Sequence, residues 1–375
     1  MGSYHYLPLE RVVFGQPAAQ AAAEEVARIG ARKVFVVASK SLSRKTPVVR
    51  DIEQALGERY VGLFDECIAH TPWPSVIAAA EAVRAAQPDL ILTVGGGTPI
   101  DTVKILQICL AHGITRAEDL EGQGAAEKPS PVRQVAIPTT LSGAEFSNLG
   151  GGTDVRSRIK HSFTGPDINP RSVILDPAIT LHTPEWLWLS TGIRGVDHAA
   201  EALCSVDAHP YCDGLALHAL RLFAGALPRT RAAPQDLAAR LQCQQASWLA
   251  ASTIARVNYG ASHGIGHALG AAADVPHGHT SCIMLPHVLR FNEPATSQKQ
   301  KLIAEALGAP GKSAADAVAT LVRALGQPAT LREAGVKREQ LAAVAAASMK
   351  NRWVLSNPQP IRAEADVMRL LEAAW

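Results

Sequence analysis

Short apolar runs alternate with longer amphipathic stretches over the first half of the chain. The runs 34–38, 90–94 and 132–138 are largely apolar, which is typical of strands buried on both faces of a sheet. Residues 74–86 and 99–112 carry apolar side chains at helical spacing. Strands and helices in this order predict a mainly parallel sheet covered on both faces, an α/β domain over residues 1–177.

Strand-like runs almost vanish beyond residue 177. Ala and Leu recur at helical spacing in five later segments, 212–226, 238–253, 298–306, 313–325 and 339–347. We therefore expect an all-helical domain over residues 178–375. A cleft between two such domains is a favoured place for a ligand.

Composition narrows the classes of protein. Of the 375 residues, 47% are hydrophobic and 19% are charged, and the net charge is +2. This pattern is typical of a globular protein, and the charge is too mild to favour a nucleic acid or a membrane surface. The longest apolar runs are far shorter than the ~20 residues of a membrane span. The first residues lack signal-peptide features, and the six cysteines show no paired spacing, so we expect reduced thiols and a cytoplasmic protein.

A glycine-rich segment follows the predicted strand at 90–94. Gly95, Gly96 and Gly97 would let the backbone approach a ligand closely, and the next helix directs its first N–H groups at that ligand. A phosphate or pyrophosphate is the natural occupant, although glycine clusters also form simple turns. Asp101 and Lys104, three residues apart on the first helical turn, favour the phosphate, and a solvated helix end is the alternative.

A second polar loop follows the predicted strand at 132–138. Its hydroxyl side chains, Thr139, Thr140 and Ser142, could hydrogen-bond a nucleotide or could simply cap a helix.

Five of the thirteen histidines lie between Ala261 and Asn292. His263 and His267 are four residues apart, so a helix would place both rings on one face. His277 comes from a turn bracketed by proline and glycine, at residues 275–278. Such a group could bind a divalent metal or move protons in an active site. Separate structural histidines are the alternative.

Several motifs together resemble those of a known family. GGGTPIDTVK at 95–104, PTTLSGAE at 138–145, GIRGVDHAAEAL at 192–203 and the histidine stretch from HGIGHALG to LPHVLRFN are similar to the iron-containing alcohol dehydrogenases, whose fold is like that of dehydroquinate synthase. AHTP at 69–72 is closer to the maleylacetate reductase branch. The resemblance implies an NAD(P)H-dependent oxidoreductase that forms a homodimer and acts on a small substrate.

The resemblance also implies the residues that bind the cofactor. They are Ser39, Gly95, Gly96, Gly97, Thr98, Asp101, Lys104, Thr139, Thr140, Ser142 and Lys160. Ser39 stands where the family has an aspartate directed at the adenosine ribose. Loss of that carboxylate removes a partner for the 2′-hydroxyl and the repulsion of a 2′-phosphate, so we expect NADH or NADPH to be used.

The family's metal ligands map onto this chain incompletely. His198, His263 and His277 correspond to three ligands, but Arg194 stands where the fourth, an aspartate, is expected. A guanidinium has no lone pair and repels a cation, so binding of Fe²⁺ or Zn²⁺ is in doubt, although three imidazoles can hold zinc. Asp197 would point about 100° around the helix and is a poor substitute.

Three residues are the expected catalytic groups. Arg194 could take over the metal's electrostatic role by polarising a carbonyl or by pairing with a substrate carboxylate, or it could form an ordinary ion pair with Asp197 or Glu201. By resemblance, His267 lies beside the nicotinamide and delivers a proton, and the alternative is a ring held by a backbone carbonyl. His198 completes the set.

The favoured function is therefore hydride transfer to a carbonyl or an activated C=C bond of a small, carboxylate-bearing substrate. A maleylacetate-like 4-oxo-enoate is the first substrate hypothesis. A metal-dependent alcohol dehydrogenase or aldehyde reductase is the alternative, and a dehydroquinate synthase-type lyase would need a complete set of metal ligands. The non-enzymatic alternative is a protein that senses a nucleotide and catalyses no reaction.

Overall fold

The structure, a computed structural model, describes residues 4–157 and 159–375. The chain divides into two compact units, Met1–Thr183 and Pro184–Trp375. No helix in the described parts of the chain is both long and apolar enough to cross a membrane. All six cysteines are free thiols, as expected.

The first unit is built on a parallel sheet. Its six strands are β1 (Arg11–Phe14), β2 (Val34–Ala38), β3 (Tyr60–Phe64), β4 (Leu90–Gly95), β5 (Arg133–Pro138) and β8 (Ser172–Leu175), in the spatial order β1-β8-β5-β4-β2-β3. Every pairing in this sheet is parallel. A separate antiparallel hairpin pairs β6 (Leu149–Asp154) with β7 (Ile159–Thr164). The predicted α/β fold with a mainly parallel sheet is confirmed.

Helices cover both faces of this sheet. They are α1 (Ala18–Ile29), α2 (Lys40–Lys45), α3 (Val48–Leu56), α4 (Trp73–Ala86) and α5 (Gly97–His112). Alternate residues of β2 enter different cores: Val34 and Val36 pack with α1 and α3, whereas Phe35 and Val37 pack with α4 and α5. Burial on both faces explains why these strands are continuously apolar.

The second unit contains only helices among its described elements. They are α6 (Glu185–Cys204), α7 (Pro210–Ala232), α8 (Leu237–Ala251), α9 (Ala261–Ala273), α10 (His277–Ala306), α11 (Ala314–Ala324), α12 (Leu341–Ser348), α13 (Arg352–Leu355) and α14 (Glu364–Ala374). The predicted all-helical character is confirmed. A core between α9, α10, α12 and α14 includes Ile265, Ile283 and Val344.

Helix α6 is buried along most of its length, from Trp188 to Cys204. Gly195 permits its close contact with α7, because a methyl group there would lie 2.7 Å from Cε2 of Phe223. This packing turns the polar residues of α6 inward rather than toward solvent. The polar residues must therefore find partners inside the protein.

Candidate active site

Three loops of the first unit meet at the carboxyl edge of the sheet. Ser39 and Thr139 directly follow the strands β2 and β5, and Gly95 is the last residue of β4, which lies between them. The Thr139 N–H donates to the Gly95 carbonyl at 2.9 Å, and a methyl group on Gly95 would overlap Oγ of Ser39. Ligands of parallel sheets bind at this edge, and Ser39, Gly95 and Thr139 lie there.

The start of α5 forms a cradle that side chains would fill. A methyl group on Gly96 would lie 2.9 Å from Cγ2 of Thr140, and one on Gly97 would lie 3.1 Å from Oγ of Ser142. Thr140 and Ser142 are joined by a hydroxyl hydrogen bond of 3.0 Å. Gly96, the N-cap residue of α5, has no side chain to cap the first turn of this helix. The backbone N–H groups of this first turn can therefore donate to a pyrophosphate, which the glycines allow to approach closely. The start of α5 and the hydroxyls of Thr140 and Ser142 thus fit a dinucleotide.

Lys104 occupies a different setting from the rest of this group. Its side chain is 0% exposed, and Nζ donates to the carbonyl oxygens of Ala144 and Leu149 and to Oγ of Ser147. Nζ also lies 3.8 Å from Oδ1 of Asp101. Lys104 therefore holds the loop between β5 and β6 to α5, and its ammonium is directed into the protein.

Two carboxylates of the first unit lie near Lys104, the partly exposed Asp101 and the buried Glu145. Asp101 accepts the Gly151 N–H at 3.2 Å, and burial raises its pKa while Lys104 and Lys160 oppose that rise. Burial raises the pKa of Glu145 to about 7, and its Oε2 has no hydrogen-bond partner among the described residues. A methyl group on Gly151 would lie 2.9 Å from Nζ of Lys160, so this glycine makes room for that side chain beside Asp101.

In the second unit, Arg194 is the centre of a buried polar network. Its Nη1 donates to Oγ of Ser281 at 3.1 Å, and that hydroxyl donates to Oδ2 of Asp197 at 2.6 Å. Ser262 donates to the same carboxylate oxygen at 2.8 Å. Arg194 is buried, with 8% of its surface exposed, so its charge lies in a largely dry environment.

Glu201 anchors the beginning of α9. Its carboxylate accepts the backbone N–H groups of Gly260, Ser262 and His263 at 3.0, 2.8 and 3.3 Å. These are N–H groups that a helix start leaves without intrahelical acceptors. Glu201 also lies 2.8 Å from Nδ1 of His263, so one carboxylate fixes both the helix and the ring.

The rings of His263 and His198 continue this chain of contacts. Nε2 of His263 lies 2.9 Å from Nδ1 of His198. Burial, together with the charge of Arg194, holds the pKa of His263 well below its usual value, so the ring is neutral. If Nδ1 of His263 donates to Glu201, its Nε2 accepts from His198. Nε2 of His198 is then the nitrogen with a lone pair.

Two carboxylates provide the negative charge near Arg194. Burial, reinforced by repulsion from Glu201, raises the pKa of Asp197, and Arg194 opposes the rise. Burial likewise raises the pKa of Glu201, against the three N–H donors and Arg194. The guanidinium of Arg194 thus provides the positive charge that the buried carboxylates of Asp197 and Glu201 need nearby.

His267 lies further along α9 and is half-buried. Its Nδ1 is 3.2 Å from Nδ2 of Asn351, and its ring centroid is 5.1 Å from that of Trp353. His277 begins α10, and its ring lies 5.9 Å from that of His267. The structure therefore places His267 beside His277, and His263 beside His198.

A divalent metal does not fit the residues in this arrangement. Asp197, Glu201 and His263 offer ligand atoms within 4.8 Å of one another. However, these carboxylates already accept two hydroxyls and three backbone N–H groups, and both nitrogens of His263 are hydrogen-bonded. Arg194 adds a permanent positive charge beside them, which would repel a metal cation.

Comparison with known proteins identifies the family. A family model described as iron-containing alcohol dehydrogenase matches residues 9–177, and the carboxyl-terminal model of the Fe-containing alcohol dehydrogenase family matches residues 188–375. The chain belongs to the iron-containing alcohol dehydrogenase family, which shares the dehydroquinate synthase-like fold. It is an NAD(P)-dependent oxidoreductase.

Within the family, the chain is similar to maleylacetate reductases. It is 34% identical to maleylacetate reductase 2 of Cupriavidus pinatubonensis, over 84% of this chain and 80% of that protein. It is 34% identical to the dehydrogenase ALT3 of Alternaria alternata, over 88% and 95%. The crystal structure of maleylacetate reductase from Agrobacterium tumefaciens superposes with a TM-score of 0.83, at 29% identity, and covers 100% of this chain and 99% of that one. The chain therefore belongs to the maleylacetate reductase-like branch, as the motifs predict.

Several residues of the network have no role in the sequence analysis. Ser262 directly precedes the candidate site residue His263, and this proximity is a sequence feature that could have indicated its role. Ser281 directly precedes Cys282, and no motif marks it. Asn351 and Trp353 lie far along the chain from His267, and no local pattern links them.

Proposed function

We propose that this protein is an NAD(P)H-dependent reductase of small carbonyl compounds that carry a carboxylate, with a maleylacetate-like 4-oxo-enoate as the first candidate substrate. The buried guanidinium of Arg194, where the family has a metal-binding aspartate, is the observation that supports it most. A guanidinium can hold a carboxylate in a bidentate pair or stabilise an oxygen that gains negative charge.

The proposed chemistry divides between named residues. When bound, the dihydronicotinamide supplies the hydride. As the carbonyl carbon, or the β-carbon of an enone, is reduced, Arg194 stabilises the negative charge on the substrate oxygen. His267 is the proposed hydrogen-bond donor to that oxygen, and water supplies the proton that completes the reduced product. His198 is the further proposed catalytic residue. Ser281 and Asp197 keep the guanidinium in place.

The cofactor would be held by the carboxyl edge of the first unit. Gly96, Gly97 and the first turn of α5 would bind the pyrophosphate, with Thr98, Thr139, Thr140 and Ser142 around it and Asp101 and Lys160 nearby. Lys104 would position the surrounding loop. Ser39 offers neither the carboxylate that binds a ribose 2′-hydroxyl nor the charge that repels a 2′-phosphate. We therefore expect use of both NADH and NADPH.

Oxidation of NADPH tests the proposal directly. We expect turnover with maleylacetate and related oxo acids, weaker turnover with plain aldehydes, and activity that survives EDTA. Arg194→Ala should lower kcat/KM about 10²–10³-fold, as loss of an oxyanion-stabilising donor does, and Arg194→Lys should recover part of it. Arg290→Ala, which removes an exposed ion pair with Asp316, is the control. A requirement for added Fe²⁺ or Zn²⁺ with preference for aldehydes would instead indicate a metal-dependent alcohol dehydrogenase.

We also propose a homodimer in the cytoplasm. The resemblance to the family supports the dimer, and six free thiols suit a reducing compartment. Light scattering of the purified protein would give the mass, to be compared with 39.6 kDa for one chain.

A further inference from the structure

The contact between Asn351 and His267 joins two distant parts of the second unit. Asn351 immediately precedes α13, whereas His267 lies in α9. A methyl group on Gly264 would lie 2.9 Å from the Val354 nitrogen, so this glycine lets α13 approach α9 closely. Trp353 then packs its ring against His267. The helix contact thus delivers Asn351 to one edge of the imidazole.

The orientation of the Asn351 amide is fixed by its second contact. Its Oδ1 accepts the backbone N–H of Trp353 at 3.0 Å, which makes Asn351 the N-cap of α13. Since a backbone N–H can only donate, the oxygen of the amide must be on that side. The NH₂ group is therefore the one that lies 3.2 Å from Nδ1 of His267.

This orientation decides the tautomer of His267. An amide NH₂ donates and cannot accept, so Nδ1 must present its lone pair to Asn351. The ring proton of the neutral imidazole is then on Nε2. A side chain that acts on one ring nitrogen commonly sets the proton position on the other.

We propose that Asn351 is a positioning residue that holds His267 as the Nε2–H tautomer, so that His267 meets the substrate oxygen with a hydrogen bond from Nε2. This inference rests on the proposed function for its catalytic consequence. Nδ1 cannot take up a second proton without breaking the bond from Asn351. His267 therefore acts through a hydrogen bond to the oxygen on which charge develops.

Two substitutions separate this role from helix capping. Asn351→Asp and Asn351→Ser both keep an oxygen that can cap α13, but neither offers the amide donor. Asp additionally presents an acceptor to Nδ1, which favours the opposite tautomer. Ser313→Ala removes the N-cap of α11, where Ser313 accepts from Asp316, and is the matched control for the loss of a cap.

Imidazole ¹⁵N spectra of the histidine-labelled protein give the tautomer, with His267→Gln identifying the signals. We expect a protonated Nε2 in the wild type and a protonated Nδ1 in Asn351→Asp. With NADPH and the proposed substrate, kcat should fall about 10–100-fold in both variants, with KM for NADPH unchanged, while Ser313→Ala keeps wild-type kcat. Melting temperatures verify that each variant is folded.

The two proposals fail in distinguishable ways. A wild-type signal from Nδ1–H, or a tautomer that Asn351→Asp leaves unchanged, overturns the assignment of Asn351 even if the wild type reduces the substrate. Unchanged kcat in Asn351→Ser with an altered tautomer also overturns its role in the reaction. A wild type with the expected tautomer that oxidises no NADPH with any oxo acid overturns the proposed function instead.

Discussion

Nε2 of His263 and Nδ1 of His198 are 2.9 Å apart and share a hydrogen bond. In the family's metal-binding pattern, both imidazoles would direct a nitrogen at one ion. Here the two rings bind each other, Glu201 binds the far side of His263, and Arg194 supplies the positive charge. The site is therefore organised around a fixed organic cation and its carboxylate partners.

Replacement of Arg194 by aspartate should create a metal-responsive protein. Arg194→Asp puts a carboxylate one helical turn before His198 and removes the repelling charge. We expect the melting temperature of this variant to rise when Zn²⁺ or Fe²⁺ is added, and that of the wild type to stay constant. Arg194→Asn, which offers no charge, is the control. A wild type that is stabilised by either ion would contradict our view that a metal does not fit.

Removal of the Glu201 carboxylate should destabilise the second unit. Glu201→Ala leaves three backbone N–H groups at the start of α9 without their acceptor, and each buried unsatisfied group costs about 1–3 kcal/mol. We expect the free energy of unfolding in urea to fall by about 3–5 kcal/mol. Glu201→Gln keeps one acceptor oxygen and should lose less. As the control, Glu372→Gln breaks an exposed ion pair with Arg338 and should lower the free energy of unfolding by less than about 1 kcal/mol. If Glu201→Ala lowers the free energy of unfolding no more than Glu372→Gln does, Glu201 does not anchor α9.

Stability should fall between about pH 4.5 and pH 7 because of Glu145. Burial raises the pKa of this group from 4.5 to about 7, so the folded state binds its proton more tightly than the unfolded state. Stability therefore decreases as pH rises through this window. Glu145→Gln should unfold at higher urea than the wild type at pH 8 and at similar urea at pH 5. The exposed Glu81→Gln should not alter this difference, and a Glu145→Gln profile that parallels the wild type would count against the prediction.

Gly97 and Gly95 should respond differently to alanine. At Gly97 the added methyl group would lie 3.1 Å from Oγ of Ser142, and a small movement of that side chain relieves the contact. The methyl group would, however, occupy space in the proposed pyrophosphate site. We expect Gly97→Ala to fold normally and to bind NADPH at least about tenfold more weakly, a loss of about 1.4 kcal/mol, in a fluorescence titration. Gly95→Ala should lower the melting temperature, because Gly95 has a φ of +149° and its methyl group would overlap Ser39. Unchanged NADPH affinity in Gly97→Ala would exclude this cradle as the cofactor site.

Three central strands of the six-stranded sheet could be predicted from the sequence. β2 matches the predicted run 34–38, and β4 and β5 differ from theirs by one residue, because strands buried on both faces must be apolar throughout. The short edge strand β1 and the hairpin β6–β7 have weaker patterns. Leu149–Asp154 contains three glycines, and its extended conformation depends on pairing with Ile159–Thr164. Helix α6 shows no clear helical periodicity, since burial of almost every residue removes its amphipathic stripe, and a helix around Arg194 and His198 was expected from the family resemblance alone.

By itself, the sequence determined the architecture, the family and the presence of Arg194 opposite the histidines, because these follow from periodicity and from motifs read along the chain. Only the tertiary structure decided what those residues contact. Hydrogen bonds joining Glu201 to α9, Ser281 to Asp197 and Asn351 to His267 connect positions 62, 84 and 84 residues apart. Such pairings depend on how helices pack in three dimensions, and a hydrogen bond requires contact between the two groups, whatever their separation in the chain.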